Sequence, residues 1–79
     1  MFNANQPSIE VSALPGTHHG YAVLVNHGSQ ASRFAVHSKL QMRTVRLVTP
    51  EGYTPLQVSG NTWNMELQPY EGAVVEWRE

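Results

Sequence analysis

A chain of 79 residues with 41% apolar and 14% charged side chains and a formal net charge of −1 holds one domain with one modest core. It is too apolar and too nearly neutral for a disordered tail, and five Lys and Arg against six Glu do not suit binding by bulk neutralisation of phosphates. The absence of cysteine removes disulfides, thiolate metal sites and thiol nucleophiles.

Gly and Pro punctuate the chain at Pro7, Pro15-Gly16, Gly20, Gly28, Pro50, Gly52, Gly60, Pro69 and Gly72. Between these breakers lie short runs rich in Val, Leu, Thr and aromatics, the pattern of an all-β domain. No apolar stripe of helical period spans an interval between breakers. Residues 1–7 read as a flexible tail or linker without the basic and apolar regions of a signal peptide. The first predicted strand, 8–14, puts Ile9 and Val11 on one face. The second, 21–26, is nearly continuously apolar, as a strand buried on both faces would be, and ends in the turn Asn26-His27-Gly28-Ser29. The third, 32–38, alternates Phe34 and Val36 with Arg33, Ala35 and His37. The fourth, 42–48, sets Val45 and Leu47 against Thr44, Arg46 and Val48. The turn Thr49-Pro50-Glu51-Gly52 follows, with Pro setting φ at its second position. A fifth strand, 53–58, contains Pro55 and is placed at a sheet edge. The sixth, 62–68, alternates Trp63, Met65 and Leu67 with Asn64, Glu66 and Gln68. The seventh, 72–78, is entered through Pro69-Tyr70-Glu71-Gly72 and is expected to pair with the sixth as a hairpin. The fold expectation is a small antiparallel β-sandwich of about seven short strands, a single domain over 1–79.

Several chemistries find no footing. All six acids are Glu, so neither an Asp-rich calcium loop nor a Ser-His-Asp triad is present, and no Gly-x-Ser-x-Gly elbow occurs. Glycoside hydrolysis needs two carboxylates facing each other across a cleft, whereas these Glu fall on turns or outward positions. His18, His19, His27 and His37 show no metal-binding spacing and read as loop and surface residues. His37, Lys39 and Arg43 read as a solvated face. The reading is a non-enzyme with no cofactor, no metal, no nucleic-acid partner and no membrane span, since no apolar run approaches ~18 residues.

The segment Leu47-Val48-Thr49-Pro50-Glu51-Gly52, then Gly60-Asn61-Thr62-Trp63, then Leu67-Gln68-Pro69-Tyr70-Glu71-Gly72-Ala73-Val74-Val75-Glu76-Trp77 resembles the end of the small antiparallel β domain that follows the catalytic barrel in many glycoside hydrolases. Upstream, Gly20-Tyr21-Ala22-Val23-Leu24-Val25-Asn26-His27 resembles the strand-and-turn those domains share. The resemblance covers residues 21–77 and carries no catalytic residue. It implies a non-catalytic accessory or carbohydrate-binding module of a secreted, extracellular glycoside hydrolase. Its partners would be a polysaccharide or oligosaccharide and the catalytic domain of the parent chain. The alternative is a purely structural domain that packs on the barrel and binds no sugar.

Sugars stack their C–H faces on flat rings, so the aromatics carry the binding expectation. Tyr53, opening an edge strand, is expected to be exposed. Trp63 shares parity with Met65 and Leu67, and Trp77 with Ala73 and Val75; both are core candidates as well as candidate platforms. Tyr70 is expected to pack beneath its corner with its hydroxyl tied to backbone. Asn64 and Glu66 are the candidate hydrogen-bonding neighbours. The expected carbohydrate-binding set is therefore Tyr53, Trp63, Asn64, Glu66 and Trp77.

Overall fold

Along residues 32–38 the side chains of Phe34 and Val36 are buried and those of Arg33 and His37 are exposed, because successive residues of a strand point to opposite faces. This alternation builds the whole fold. The computed structural model describes residues 2–79 and contains nine strands: β1 (Phe2–Ala4), β2 (Ile9–Pro15), β3 (His19–Asn26), β4 (Ser32–Ser38), β5 (Thr44–Thr49), β6 (Gly52–Leu56), β7 (Val58–Ser59), β8 (Thr62–Leu67) and β9 (Gly72–Arg78). They form two antiparallel sheets, a four-stranded one in the order β1-β4-β8-β7 and a five-stranded one in the order β2-β3-β9-β5-β6. The sheets pack face to face as an all-β sandwich, as the punctuation and alternation predict.

The inward rows meet in one core that includes Leu24, Phe34, Val36, Val45, Trp63, Leu67, Val75 and Trp77. Phe2 closes it edge-on to both tryptophans, with ring centroids 5.5 Å from Trp63 and 5.8 Å from Trp77. Gly20 lies opposite Trp77 in the β3–β9 ladder. A Cβ at Gly20 would sit 2.7 Å from the indole and 2.6 Å from the Leu14 carbonyl oxygen, so the indole occupies the space that any side chain here would need.

Five expectations are corrected. Residues 1–7 are not all tail: Phe2–Ala4 pair with β4, because a large ring there finds a place against Trp63 and Trp77. The 53–58 strand divides. β6 stays at the edge of the five-stranded sheet, where the N–H missing from Pro55 costs least, and Val58–Ser59 crosses to the other sheet as β7. The 21–26 strand is buried on one face only, for Tyr21 is exposed and Val23 and Val25 are partly so.

The fourth correction is the largest. β8 and β9 do not form a hairpin but lie in opposite sheets. The turn between them has Pro69 at its second position, Tyr70 at φ 59° and a hydrogen bond from the Glu71 N–H to the Gln68 carbonyl at 3.1 Å. That is the pattern of a type II turn, whose twist splays strands where a hairpin needs the opposite hand. Tyr70 is also not tucked beneath the corner. It is 70% exposed and occupies a left-handed conformation that costs a non-glycine residue about 1–2 kcal/mol. Tyr70→Asn, which tolerates this conformation, is expected to raise stability by about 1 kcal/mol in urea denaturation.

Candidate functional site

The expected site residues are distributed over three places. Trp63 and Trp77 are 0% and 1% exposed: both face the core, as their parity with neighbouring apolar residues allows, and neither ring can act as a platform. The Trp63 indole N–H lies 3.4 Å from the Met65 sulfur, while that of Trp77 has no hydrogen-bond partner among the described residues. Asn64 and Glu66 lie on the outer face of the four-stranded sheet, beside a shallow depression of about 510 Å3 that Asn5, Arg33 and Ala35 also line. Glu66 pairs there with Arg33 at 3.4 Å. Of the three rings in the expected set only Tyr53 is exposed, and it stands on the outer face of the other sheet, with both sheets between it and Asn64 and Glu66.

That outer face is where the exposed apolar surface collects. The ladders align Leu14, Tyr21, Glu76, Arg46 and Pro55 in one cross-strand row. Ser12, Val23, Val74, Val48 and Tyr53 form the next row. Of the five exposed large apolar side chains among the described residues, four (Leu14, Tyr21, Val48 and Tyr53) are on this face. Scattered exposed apolar residues are ordinary; here they gather on one sheet face.

Glu76 organises the centre. It points outward from β9 yet is 5% exposed, because its neighbours close over it. Its Oε1 accepts hydrogen bonds from Nε of Arg46 at 3.1 Å and from Nη2 of the same guanidinium. Nε of Arg78 lies 3.5 Å away. The Tyr21 hydroxyl donates to Oε2 at 3.4 Å. Arg46 in turn lies over the Tyr53 ring, with Cζ 4.0 Å from the centroid, a cation–π contact. A charge this well covered is tolerable only because it is paired and hydrogen-bonded. The result is a fixed cluster, Tyr21–Glu76–Arg46–Tyr53, with two half-exposed rings flanking an ion pair.

The electrostatics follow from the contacts. Hydrogen bonding from Arg46 holds the Glu76 carboxyl below the usual carboxylate range against the opposing effect of burial, and the charges of Arg46 and Arg78 add to it. The nearby Tyr53 phenol, and after it the Glu76 carboxylate, push the Tyr21 phenol above its ordinary value. A lowered carboxylate pKa contributes stability that is present above the unfolded-state value of ~4.3 and lost as pH falls through the lower folded-state value. Wild type should therefore lose stability as pH falls below ~4.3, and Glu76→Gln should show a shallower dependence in that window, measured by urea midpoints at a series of pH values. An unchanged slope would mean that Glu76 is not the paired group.

Tyr21, Arg46, Glu76 and Arg78 were not in the expected set. The signal for Glu76 was present, since it is the one charged residue within the apolar run Ala73-Val74-Val75-Glu76-Trp77. Its partner on β5 depends on strand order, which no local pattern encodes. Elsewhere, the histidines make exposed contacts: His27 with Glu10 at 2.8 Å, His18 with Glu79 at 3.3 Å, and His37 with the Thr62 hydroxyl at 2.9 Å. Among the described residues, no three His or Glu side chains gather as a metal site would require, and no helix is long and apolar enough to cross a membrane. Compared with protein-family models, curated proteins and solved structures, the chain has no match.

Proposed function

We propose that this domain is a non-catalytic module that binds a neutral glycan on the outer face of its five-stranded sheet, as an accessory to a secreted glycoside hydrolase. The observation that carries the binding reading is the Tyr21–Glu76–Arg46–Tyr53 cluster. Two half-exposed rings on a sheet face offer the flat apolar surface that the C–H side of a pyranose covers. The guanidinium N–H groups of Arg46 and Arg78 that Glu76 does not take offer donors to sugar hydroxyls that would otherwise lose their water, and the Tyr21 hydroxyl, whose proton goes to Glu76, offers an acceptor. The ion pair fixes Arg46 before the ligand arrives, so little side-chain entropy is lost on binding. The accessory role rests on the resemblance of residues 21–77.

A second reading has its own observation. Val23, Val74 and Val48 form an unbroken apolar row beside the cluster, with no side-chain hydrogen-bonding group for a sugar to use. That row suits packing against a catalytic barrel, and the domain would then be structural. Affinity electrophoresis followed by calorimetry against glucans, xylans and mannans separates the two. On the glycan reading, Tyr53→Ala and Tyr21→Ala each weaken binding about tenfold or more while the fold survives, the order of one stacking contact. Binding to a neutral glycan is nearly indifferent to added salt. No binding at millimolar glycan favours the structural reading, and binding untouched by both substitutions rules out this face as the glycan site. A steep loss with salt points to an anionic ligand.

A further inference from the structure

A sandwich of two open sheets has four edge strands, and an unprotected edge invites another strand. Three of the four here are protected. β1 and β7 are three and two residues long, and β6 carries Pro55. β2 is different. It runs seven residues, Ile9–Pro15, with Pro only at its last position and Glu10 as its one charge. That charge is already engaged by His27 at 2.8 Å. Leu14 near its end is 60% exposed.

The register shows which backbone groups the edge offers. Ser8 stands opposite His27 by extension of the β2–β3 ladder, and the His27 N–H donates to the Ser8 carbonyl at 2.8 Å. Even-numbered residues of this strand therefore turn their N–H and C=O toward β3, and odd-numbered residues turn theirs outward. The Ile9 N–H is taken by the Gln6 carbonyl at 3.1 Å. The backbone groups of Val11 and Ala13 point outward, and no hydrogen bond from elsewhere among the described residues reaches them.

We propose that β2 pairs antiparallel with β2 of a second copy of this chain about a two-fold axis at Ser12, joining two five-stranded sheets into one continuous sheet. The strand fits itself. An axis at Ser12 sets Val11 of each copy opposite Ala13 of the other, so the outward groups meet and each pair exchanges two hydrogen bonds. It also sets Glu10 opposite Leu14 and Ser12 opposite Ser12. Residues of like parity meet, so core faces join core faces and outer faces join outer faces. Glu10 directly faces no second Glu10, and the Leu14 side chains gain cover. Two outer faces would then lie side by side.

The pairing geometry provides its own test. Ser12 would form a non-hydrogen-bonded pair across the axis, with Cα atoms about 4.5 Å apart, within the range that a disulfide spans. The chain has no cysteine, so Ser12→Cys introduces a single thiol, and Ser29→Cys in the exposed β3–β4 turn is the control. Sedimentation of the wild type should show a concentration-dependent dimer. Mild oxidation should cross-link Ser12→Cys at least tenfold faster than Ser29→Cys, and Ser12→Lys, which sets two ammonium groups face to face, should weaken the dimer at least tenfold. Circular dichroism checks that each variant folds. A wild type that stays monomeric to millimolar concentration, together with equal cross-linking at the two positions, overturns the proposal and leaves the edge to a strand of a different chain.

Discussion

Asn26→Asp is expected to destabilise the domain by about 3–5 kcal/mol at neutral pH, the cost of a buried charge with no compensating partner. Asn26 is fully buried at the end of β3. Its Nδ2 donates to the carbonyls of Gln30 at 2.9 Å, Gln68 at 3.2 Å and Leu67 at 3.3 Å, and its Oδ1 accepts from the Gly28 N–H at 2.8 Å. The backbone N–H of Asn26 donates to the Glu71 carbonyl at 2.9 Å. One side chain thus holds the β3–β4 turn together and ties the five-stranded sheet to the end of β8 in the other. A carboxylate keeps the Gly28 contact but turns an acceptor toward three carbonyl oxygens. Repulsion and burial both raise the pKa of the new acid, so its penalty is full above that raised value and shrinks as pH falls and the acid regains a donor. Urea unfolding at pH 7 and pH 4 measures both effects. A loss below about 1 kcal/mol at pH 7 would show that the amide donor is dispensable.

Phe2→Ala is expected to cost about 3–5 kcal/mol, the range for removing a buried aromatic side chain. The ring is 7% exposed and meets the edges or faces of Trp63 and Trp77 in T-shaped contacts, which favour stability beyond simple burial. Its loss opens the core beside both indoles, so tryptophan emission should shift to longer wavelength with the change in stability. An unchanged emission maximum together with a cost under about 1 kcal/mol would mean that the N-terminal strand merely lies against a core complete without it.

The distribution of the tryptophans shows how parity and position divide the work. Trp63 sits in the alternation Trp63, Met65, Leu67, and the burial of that row follows from local pattern alone. Tyr53 was legible as an exposed ring because Pro55 confines its strand to an edge. Grouping Asn64 and Glu66 with Tyr53 was not justified, because two residues can both be outward-facing and still lie on opposite outer faces of a sandwich. Only the sheet to which each strand belongs separates them. Tyr70 misled for a related reason, since a Pro-Tyr corner specifies a turn without specifying which side of it the ring takes.

Residue order alone determined the fold class, most strand positions and the inward rows of β2, β4, β5, β8 and β9, because these depend on side-chain period and on Gly and Pro, which act over a few residues. It also determined the absence of thiol chemistry. The tertiary structure decided the rest. The sheet membership of β8 and β9, the docking of Phe2 and the pairing of Glu76 with Arg46 all join residues distant in the chain. Each is settled by which surfaces fit when the two sheets close, and by where buried polar groups such as Asn26 find partners. Those are properties of the assembled sandwich, and no window of sequence contains them.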